Sequence, residues 1–366
     1  MLKIKIAENF RHRNETTFRP YLNAAHLFRE VGIEFVFEGN GYDLTWVGQA
    51  SISDKNHPLK RANRRGKWFI DNTVEGDFII FDGQDSPSLI GVYEVLKSTK
   101  AKLLLKNSLY KDRSDYVRPS IHGRTYWGSS ADYAGQSYKN ETVFGNSKVK
   151  IHDASDYDYS IVKPDFSKIK LSGTNWLGTV NPYWFDARSM KKDYDVFAMF
   201  QYPAKYNDEF CRPTHQFYDA HRQRCMNWID MLPTSIKVAK LENGKKVPIE
   251  QYYDAMKRSK IVVAPFGYGE MAPRDIESAM VGAVLIKPDM GHIESIPNVY
   301  EPEMTYRSVK WDFSDLNDVI LDTLDGFDAD KMIENLRYSY VRQYSAENLV
   351  TYMHSIISNL SGYGTV

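Results

Sequence analysis

The chain has 366 residues, with Lys+Arg and Asp+Glu balanced at 47 each and a 42% hydrophobic composition. That length exceeds one ordinary core and points to two domains of roughly 150 to 200 residues, while the zero net charge argues against a polyanion or a membrane surface as partner. Two cysteines (Cys211 and Cys225) without metal or disulfide spacing, an opening MLKIKIAENF without an apolar signal core, and no apolar run near the ~20 residues of a membrane span point to a soluble, cytoplasmic protein.

From the N-terminus, LKIKIA (2–7) reads as a strand, and a polar loop leads to a helix over about 17–31 that Gly32 closes. IEFVFE, YDLTWVG and DFIIFDG (33–38, 42–48 and 77–83) read as further strands. The basic run KRANRRGK (60–67) reads as a solvated loop in preference to a binding patch. A helix is expected over about 86–98, with Pro87 in its first turn, followed by the strand KLLLK at 102–106. Strands separated by helical stretches imply a mostly parallel sheet with crossover helices.

Over 112–192 the periodicity fades into turn formers and aromatics, which reads as the end of the first domain plus a connection. Alternation resumes with a strand at 194–201, a helix at about 214–231, a strand at 235–240 and a helix at about 249–258. The expected class is therefore α/β, with two Rossmann-like doubly wound domains facing a cleft. The boundaries are 1–185 for an acceptor-side domain and 186–335 for a nucleotide-binding one, with a helical segment at 336–366 that crosses back over the first.

The stretch SKIVVAPFGYGEMAPRDIESAMVGAVLIKP (259–288) concentrates the chemistry. An apolar strand at 261–264 cannot continue past Pro265, and Gly267 and Gly269 invite positive φ. Pro273 suits the first position of a helix reaching Val281, with Gly282 as its left-handed cap and a further strand at 283–286. Arg274 in the first turn is disfavoured by the helix dipole unless an anion faces it. An i,i+3 pair with Glu277 on a solvated face is the other reading of the same spacing.

YYDAMKRSKIVVAPFGYGEMAPRDIESAMVGAVLIKP (252–288) resembles the donor-binding half of GT-B-type glycosyltransferases, particularly the exostosin-like and group-1-like sets. The matching core spans some 35 to 40 residues. The resemblance implies that the loop Phe266, Gly267, Tyr268 and Gly269 and the following helix end hold the diphosphate of a UDP- or GDP-sugar. It implies that Arg274 contacts that diphosphate, that Glu277 receives the ribose hydroxyls, and that Glu270 approaches the donor sugar. Six residues separate Glu270 from Glu277 where many relatives have seven, a departure that bears on Glu270.

Departure of a diphosphate builds negative charge, for which Arg274 and either Arg222 or Arg224 are candidates, the last two reading equally as exposed surface arginines. Three Asp-x-Asp triplets occur (Asp156/Asp158, Asp193/Asp195, Asp328/Asp330), a motif that holds metal in another glycosyltransferase fold. With so many acidic residues such triplets arise by chance, and Asp193/Asp195 opens a strand instead of ending one, so the expectation is chemistry without a metal and with no cofactor besides the nucleotide-sugar. The base for a glycan or other hydroxyl acceptor is expected in loops after first-domain strands, at Asp82 foremost, with His12 and Asp85 also placed; a turn or helix-cap role competes for Asp85. His122 and Trp127 suit a sugar-lining loop or plain packing, and Tyr253 or Tyr252 a nucleobase stack or core packing. The leading function is glycosyl transfer without nucleic-acid or membrane-spanning partners. A nucleotide-sugar epimerase or hydrolase and a non-catalytic carbohydrate-binding module are the alternatives on the same fold.

Overall fold

The computed structural model describes residues 1–7, 14–48, 74–83, 85–89, 92–93, 95–118, 120–121, 126, 143–144, 147–148, 158–159, 164–173, 190–201, 215–241, 247–343, 345–360 and 362–363. Apart from four two-residue strands between 120 and 159, the described strands of the first lobe are, in chain order, β1 (Leu2–Ile6), β2 (Ile33–Val36), β3 (Leu44–Gly48), β4 (Phe78–Asp82), β5 (Ala101–Lys106), β6 (Ser108–Tyr110) and β7 (Ile169–Leu171). All but β6 form one parallel sheet in the order β7-β5-β4-β3-β1-β2. Every residue of β3 and β4 is buried, as their unbroken apolar runs require of strands covered on both faces. One face packs Phe18, Tyr21, Trp46 and Phe81 into an aromatic cluster, with Trp46 and Phe81 centroids 4.6 Å apart.

The first helix is two, α1 (Asn14–Asn23) and α2 (Ala25–Glu30). Between them the Ala24 N–H is shared by the carbonyls of Pro20 and Tyr21. Gly32, with φ of 82°, ends the segment as expected. The helix expected over 86–98 is absent among the described residues; only a 3₁₀ turn at Val95–Lys97 forms there. The Ser88 carbonyl, which a helix would need, accepts instead from the buried Lys106 ammonium at 2.8 Å.

The second lobe runs β8 (Tyr194–Ala198), α3 (His215–Ile229), β9 (Val238–Lys240), α4 (Ile249–Lys257), β10 (Ser259–Val263), α5 (Arg274–Met280), β11 (Val284–Pro288), β12 (Ile293–Ser295), β13 (Arg307–Val309), α6 (Leu316–Leu324), α7 (Ala329–Gln343) and α8 (Ala346–Ser358). Its parallel sheet has the order β9-β8-β10-β11-β13. Each sheet reverses its winding once, between β1 and β3 in the first lobe and between β8 and β10 in the second. Ligands of open α/β sheets bind outside the carboxyl ends of strands at such reversals. Around the first-lobe reversal, residues 8–13 and 49–73 lie outside the described residues.

Two features knit the lobes together. β6 pairs antiparallel with β12, setting Tyr110 opposite Ile293 and Ser108 opposite Ser295. α8 returns to the first lobe, burying Leu349, Val350, Met353 and Ile357 in the same core as Trp46, with Tyr352 donating to the Leu171 carbonyl at 2.9 Å. No described helix is long and apolar enough to cross a membrane.

Candidate functional site

The winding reversal of the second lobe is bridged by one side chain. Arg222, on α3, donates from Nε to the Phe266 carbonyl (3.1 Å) and from a terminal nitrogen to the Gln201 carbonyl (3.0 Å). These carbonyls belong to the segments that leave β10 and β8, so a cation is clamped across the crevice. Its guanidinium also lies 5.3 Å from the Tyr218 ring centroid. Burial, and then the charge of Arg274, push the Arg222 pKa below its ordinary value.

Arg274 opens α5 and donates from Nε to the Tyr252 hydroxyl at 3.0 Å, with its guanidinium 6.0 Å from the Phe200 ring centroid. Neither arginine has a carboxylate within ion-pair distance among the described residues, although buried or half-buried cations ordinarily acquire one. Glu277, one turn on, is buried and accepts from the Tyr253 hydroxyl at 2.6 Å. Burial raises its pKa above the ordinary carboxylate value. The i,i+3 ion pair of Arg274 with Glu277 does not form; each is held by one of two consecutive tyrosines of α4. This is a correction for Tyr253. Its ring is buried and its hydroxyl is bonded to Glu277, so it positions that carboxylate and has no face open to stack a base.

α5 is shorter than its expected 273–281, and Gly282 ends it with φ of 70°. Asp275, which the sequence did not single out, organises its start. It accepts from the Ala272 N–H (3.0 Å), the Tyr300 hydroxyl (2.6 Å) and the fully buried Lys287 ammonium (3.0 Å). A lysine inside the apolar run AVLIKP was the signal for such a carboxylate.

The glycine loop is a correction in kind. Neither Gly267 nor Gly269 takes positive φ; both are needed for close approach. A Cβ at Gly267 would lie 2.7 Å from an Arg222 nitrogen, and one at Gly269 would lie 2.2 Å from the Asp85 carbonyl oxygen. The turn closes on itself through the Gly267 N–H to the Gly269 carbonyl at 2.9 Å, and the Gly267 carbonyl accepts from the Tyr126 hydroxyl. It is thus covered by protein groups and is not an open phosphate cradle. Phe266 also departs from its expected role. It is fully buried, stacked on His221 at 5.1 Å and 7°, and belongs to the core. Tyr268 is the exposed tip of the loop.

Glu270 is completely buried, and neither carboxylate oxygen has a hydrogen-bond partner among the described residues. Nearest is His292, with Nε2 3.8 Å away and both ring nitrogens equally unpartnered. That separation is too long for a hydrogen bond. His292 was invisible in the sequence; it stands at the start of β12, and its carbonyl accepts from Lys111 of the first lobe at 2.9 Å.

Asp82 is corrected as a base. It is buried at the end of β4 and bonded to Lys106 Nζ at 2.6 Å, with both side chains 0% exposed. No acceptor hydroxyl reaches it. His12, His122 and Trp127 lie outside the described residues, as does Asp156. Of the Asp-x-Asp triplets, Asp193 pairs with Arg258, Asp195 with Lys260 at 2.8 Å, and Asp328 accepts from the Lys331 N–H at 3.2 Å. No three His, Cys, Asp or Glu side chains converge as a metal set among the described residues.

Two Rossmann-like sheets, each reversing its winding once and joined across a seam, complete the picture. The fold is of the GT-B type. No family model matches the chain, and no curated protein matches it in sequence. Among solved structures, a glycosyltransferase from Rickettsia africae ESF-5 is 11% identical at a TM-score of 0.38, covering 97% of both chains. Sucrose-phosphate synthase from Thermosynechococcus elongatus is 12% identical at 0.45, covering 97% of this chain and 98% of that one. UDP-GlcNAc 2-epimerase from Methanocaldococcus jannaschii is 10% identical at 0.37, covering 97% and 99%. At such scores these likenesses add no weight to the strand order on which the GT-B assignment rests.

Proposed function

We propose that the second lobe binds a nucleotide-sugar and that the chain is a glycosyltransferase passing the sugar to a hydroxyl of a glycan or other acceptor. One observation carries this reading. Two neighbouring guanidinium groups, Arg222 and Arg274, lack a carboxylate within ion-pair distance among the described residues at the winding reversal, and a buried carboxylate, Glu277, stands one turn away. Paired cations without counter-ions suit a diphosphate, and a fixed carboxylate suits two vicinal hydroxyls of a pentose. In glycosyl transfer the bond from the anomeric carbon to the diphosphate breaks, and its electron pair leaves with the phosphate. The two arginines would stabilise that charge without a metal, as preorganised donors do.

Thermal-shift titration with UDP-, GDP- and ADP-sugars tests the reading. A bound nucleotide at 100-fold above its Kd stabilises the folded state by about 2.7 kcal/mol. Glu277→Ala and Tyr253→Phe should each weaken that binding, Arg274→Ala should lower turnover, and turnover should persist in EDTA. Absence of stabilisation by every nucleotide would overturn it. The burial of Asp82, which removes the leading acceptor base, favours a nucleotide-sugar epimerase or hydrolase as the second reading. Donor breakdown with no acceptor dependence would select it.

A further inference from the structure

The seam between the lobes holds an anion of the protein's own. Asp85, on the loop after β4, accepts the Gly269 N–H on Oδ2 at 3.0 Å and the Met271 N–H on its carbonyl at 3.1 Å. A Cβ at Gly269 would lie 2.2 Å from that carbonyl and 2.4 Å from Oδ1, so the glycine exists to let the first lobe lie flat on the turn. The loop is braced from beneath. Lys106, fully buried, donates to the Asp82 carboxylate at 2.6 Å and to the Ser88 carbonyl at 2.8 Å, gripping the chain on both sides of Asp85. Asp85 is therefore presented on a fixed base.

A carboxylate oxygen on a backbone N–H of a glycine turn makes the contact that a phosphate oxygen makes. On the other side of the same turn stands Arg222, whose terminal nitrogen lies 2.7 Å from where a Gly267 Cβ would be. A ligand phosphate drawn to Arg222 meets the like charge of Asp85 across one glycine turn. Rotating the Asp85 side chain would free the Gly269 N–H. The main-chain contact through Met271 holds until the lobes part at this point.

Resting on the nucleotide-sugar reading for the ligand's class, we infer that Asp85 is an internal occupant of the glycine turn. Its carboxylate competes with the phosphates of the ligand, and binding withdraws it from Gly269. The contact is autoinhibitory, because the Asp85 carboxylate and a ligand phosphate cannot both hold the Gly269 N–H.

Calorimetric titration of inorganic pyrophosphate, UDP and GDP into the wild type, Asp85→Asn and Asp85→Ala tests this, with melting curves confirming that each variant folds. Asp85→Ala should bind pyrophosphate and at least one nucleotide about ten-fold more tightly, the size of one lost charge-assisted hydrogen bond. Asp85→Asn, which keeps the shape without the charge, should move the same way and suffices if the alanine variant does not fold. Hydrogen exchange at the Gly269 amide should speed up in the ligand-free variants, where Asp85 no longer holds it, and slow again when nucleotide binds them. Unchanged or weaker affinity in a folded variant overturns the competition and leaves nucleotide binding standing. No binding of any probe to any of the three proteins overturns both.

Discussion

Replacing Asp82 by Asn separates two roles, proton acceptor and buried counter-ion. Its carboxylate and the Lys106 ammonium are 2.6 Å apart, with neither side chain exposed. At an effective dielectric of about 20, that separation gives a gross attraction of about 6 kcal/mol. Desolvation costs several kcal/mol per ion, so the intact pair is close to neutral against an apolar pair of the same volume. A single replacement is not neutral. With Asp82 neutralised, the ammonium keeps only the Ser88 carbonyl, 2.8 Å away, among the described residues. Such an uncompensated buried charge costs about 3 to 5 kcal/mol, or roughly 6 to 20 °C in Tm for a domain of this size.

Unfolding followed by tryptophan fluorescence reads the loss locally, because Trp46 packs 4.6 Å from Phe81, the residue before Asp82. Lys106→Met should cost a similar amount, and the apolar double replacement Asp82→Val/Lys106→Met should recover most of it. The double-mutant cycle should therefore show a coupling of about 2 kcal/mol or more. A wild-type melting point in Asp82→Asn, combined with lost turnover, would refute the counter-ion role and restore Asp82 as the base. Additive losses would refute the pair itself.

Two further outcomes follow from groups outside that pair. Glu270→Gln should leave stability unchanged or raise it by about 1 to 3 kcal/mol, because Glu270 is a buried carboxylate with no hydrogen-bond partner among the described residues; a loss of nucleotide-sugar binding alongside would mark Glu270 as kept for function, and a large drop in Tm would contradict its lack of hydrogen bonds. Lys192 donates to the carbonyls of Lys257 and Val281, and burial lowers its pKa from 10.5 to about 8. Between those values the unfolded chain binds a proton that the folded chain does not, so the stability contribution of Lys192 rises with pH from about 8 to 10.5 and is least favourable below 8. Chemical denaturation of the wild type and Lys192→Met at pH 7.5 and pH 10 should show the wild type gaining on the variant, and parallel behaviour would refute the lowered pKa.

The two sheets were legible because a parallel strand buried on both faces must be an unbroken apolar run, as FIIF and IVV are. The stretch over 86–98 misled for a related reason. Leu89, Val92, Val95 and Leu96 recur at helical spacing and are all buried, but turns bury them while Lys106 takes the Ser88 carbonyl. Periodicity reports which residues go inside, and here the backbone reached the same burial without a helix. In the site, Arg274 and Glu277 were visible because they share one short motif. His292 went unnoticed, and Asp85 was named only as a base or cap, since the contacts both make lie across the seam, where no local spacing encodes them. The glycines were recognised and expected to take positive φ, whereas what they permit is close approach by Arg222 and Asp85.

The two tyrosines show what the spacing did encode. Consecutive residues of a helix diverge by about 100°, so Tyr252 and Tyr253 cannot both face one partner. Residues three apart on a facing helix offer two partners on one side, and Arg274 and Glu277 stand at that interval. Each tyrosine takes one, at 3.0 Å and 2.6 Å. Lys192 then fastens the far ends of the same two helices by bonding Lys257 of α4 and Val281 just beyond α5. The cation and the carboxylate that would meet a nucleotide-sugar are thus fixed by a helix pair tied at both ends. Neither side chain forms an ion pair with the other; each is held by a tyrosine hydroxyl instead.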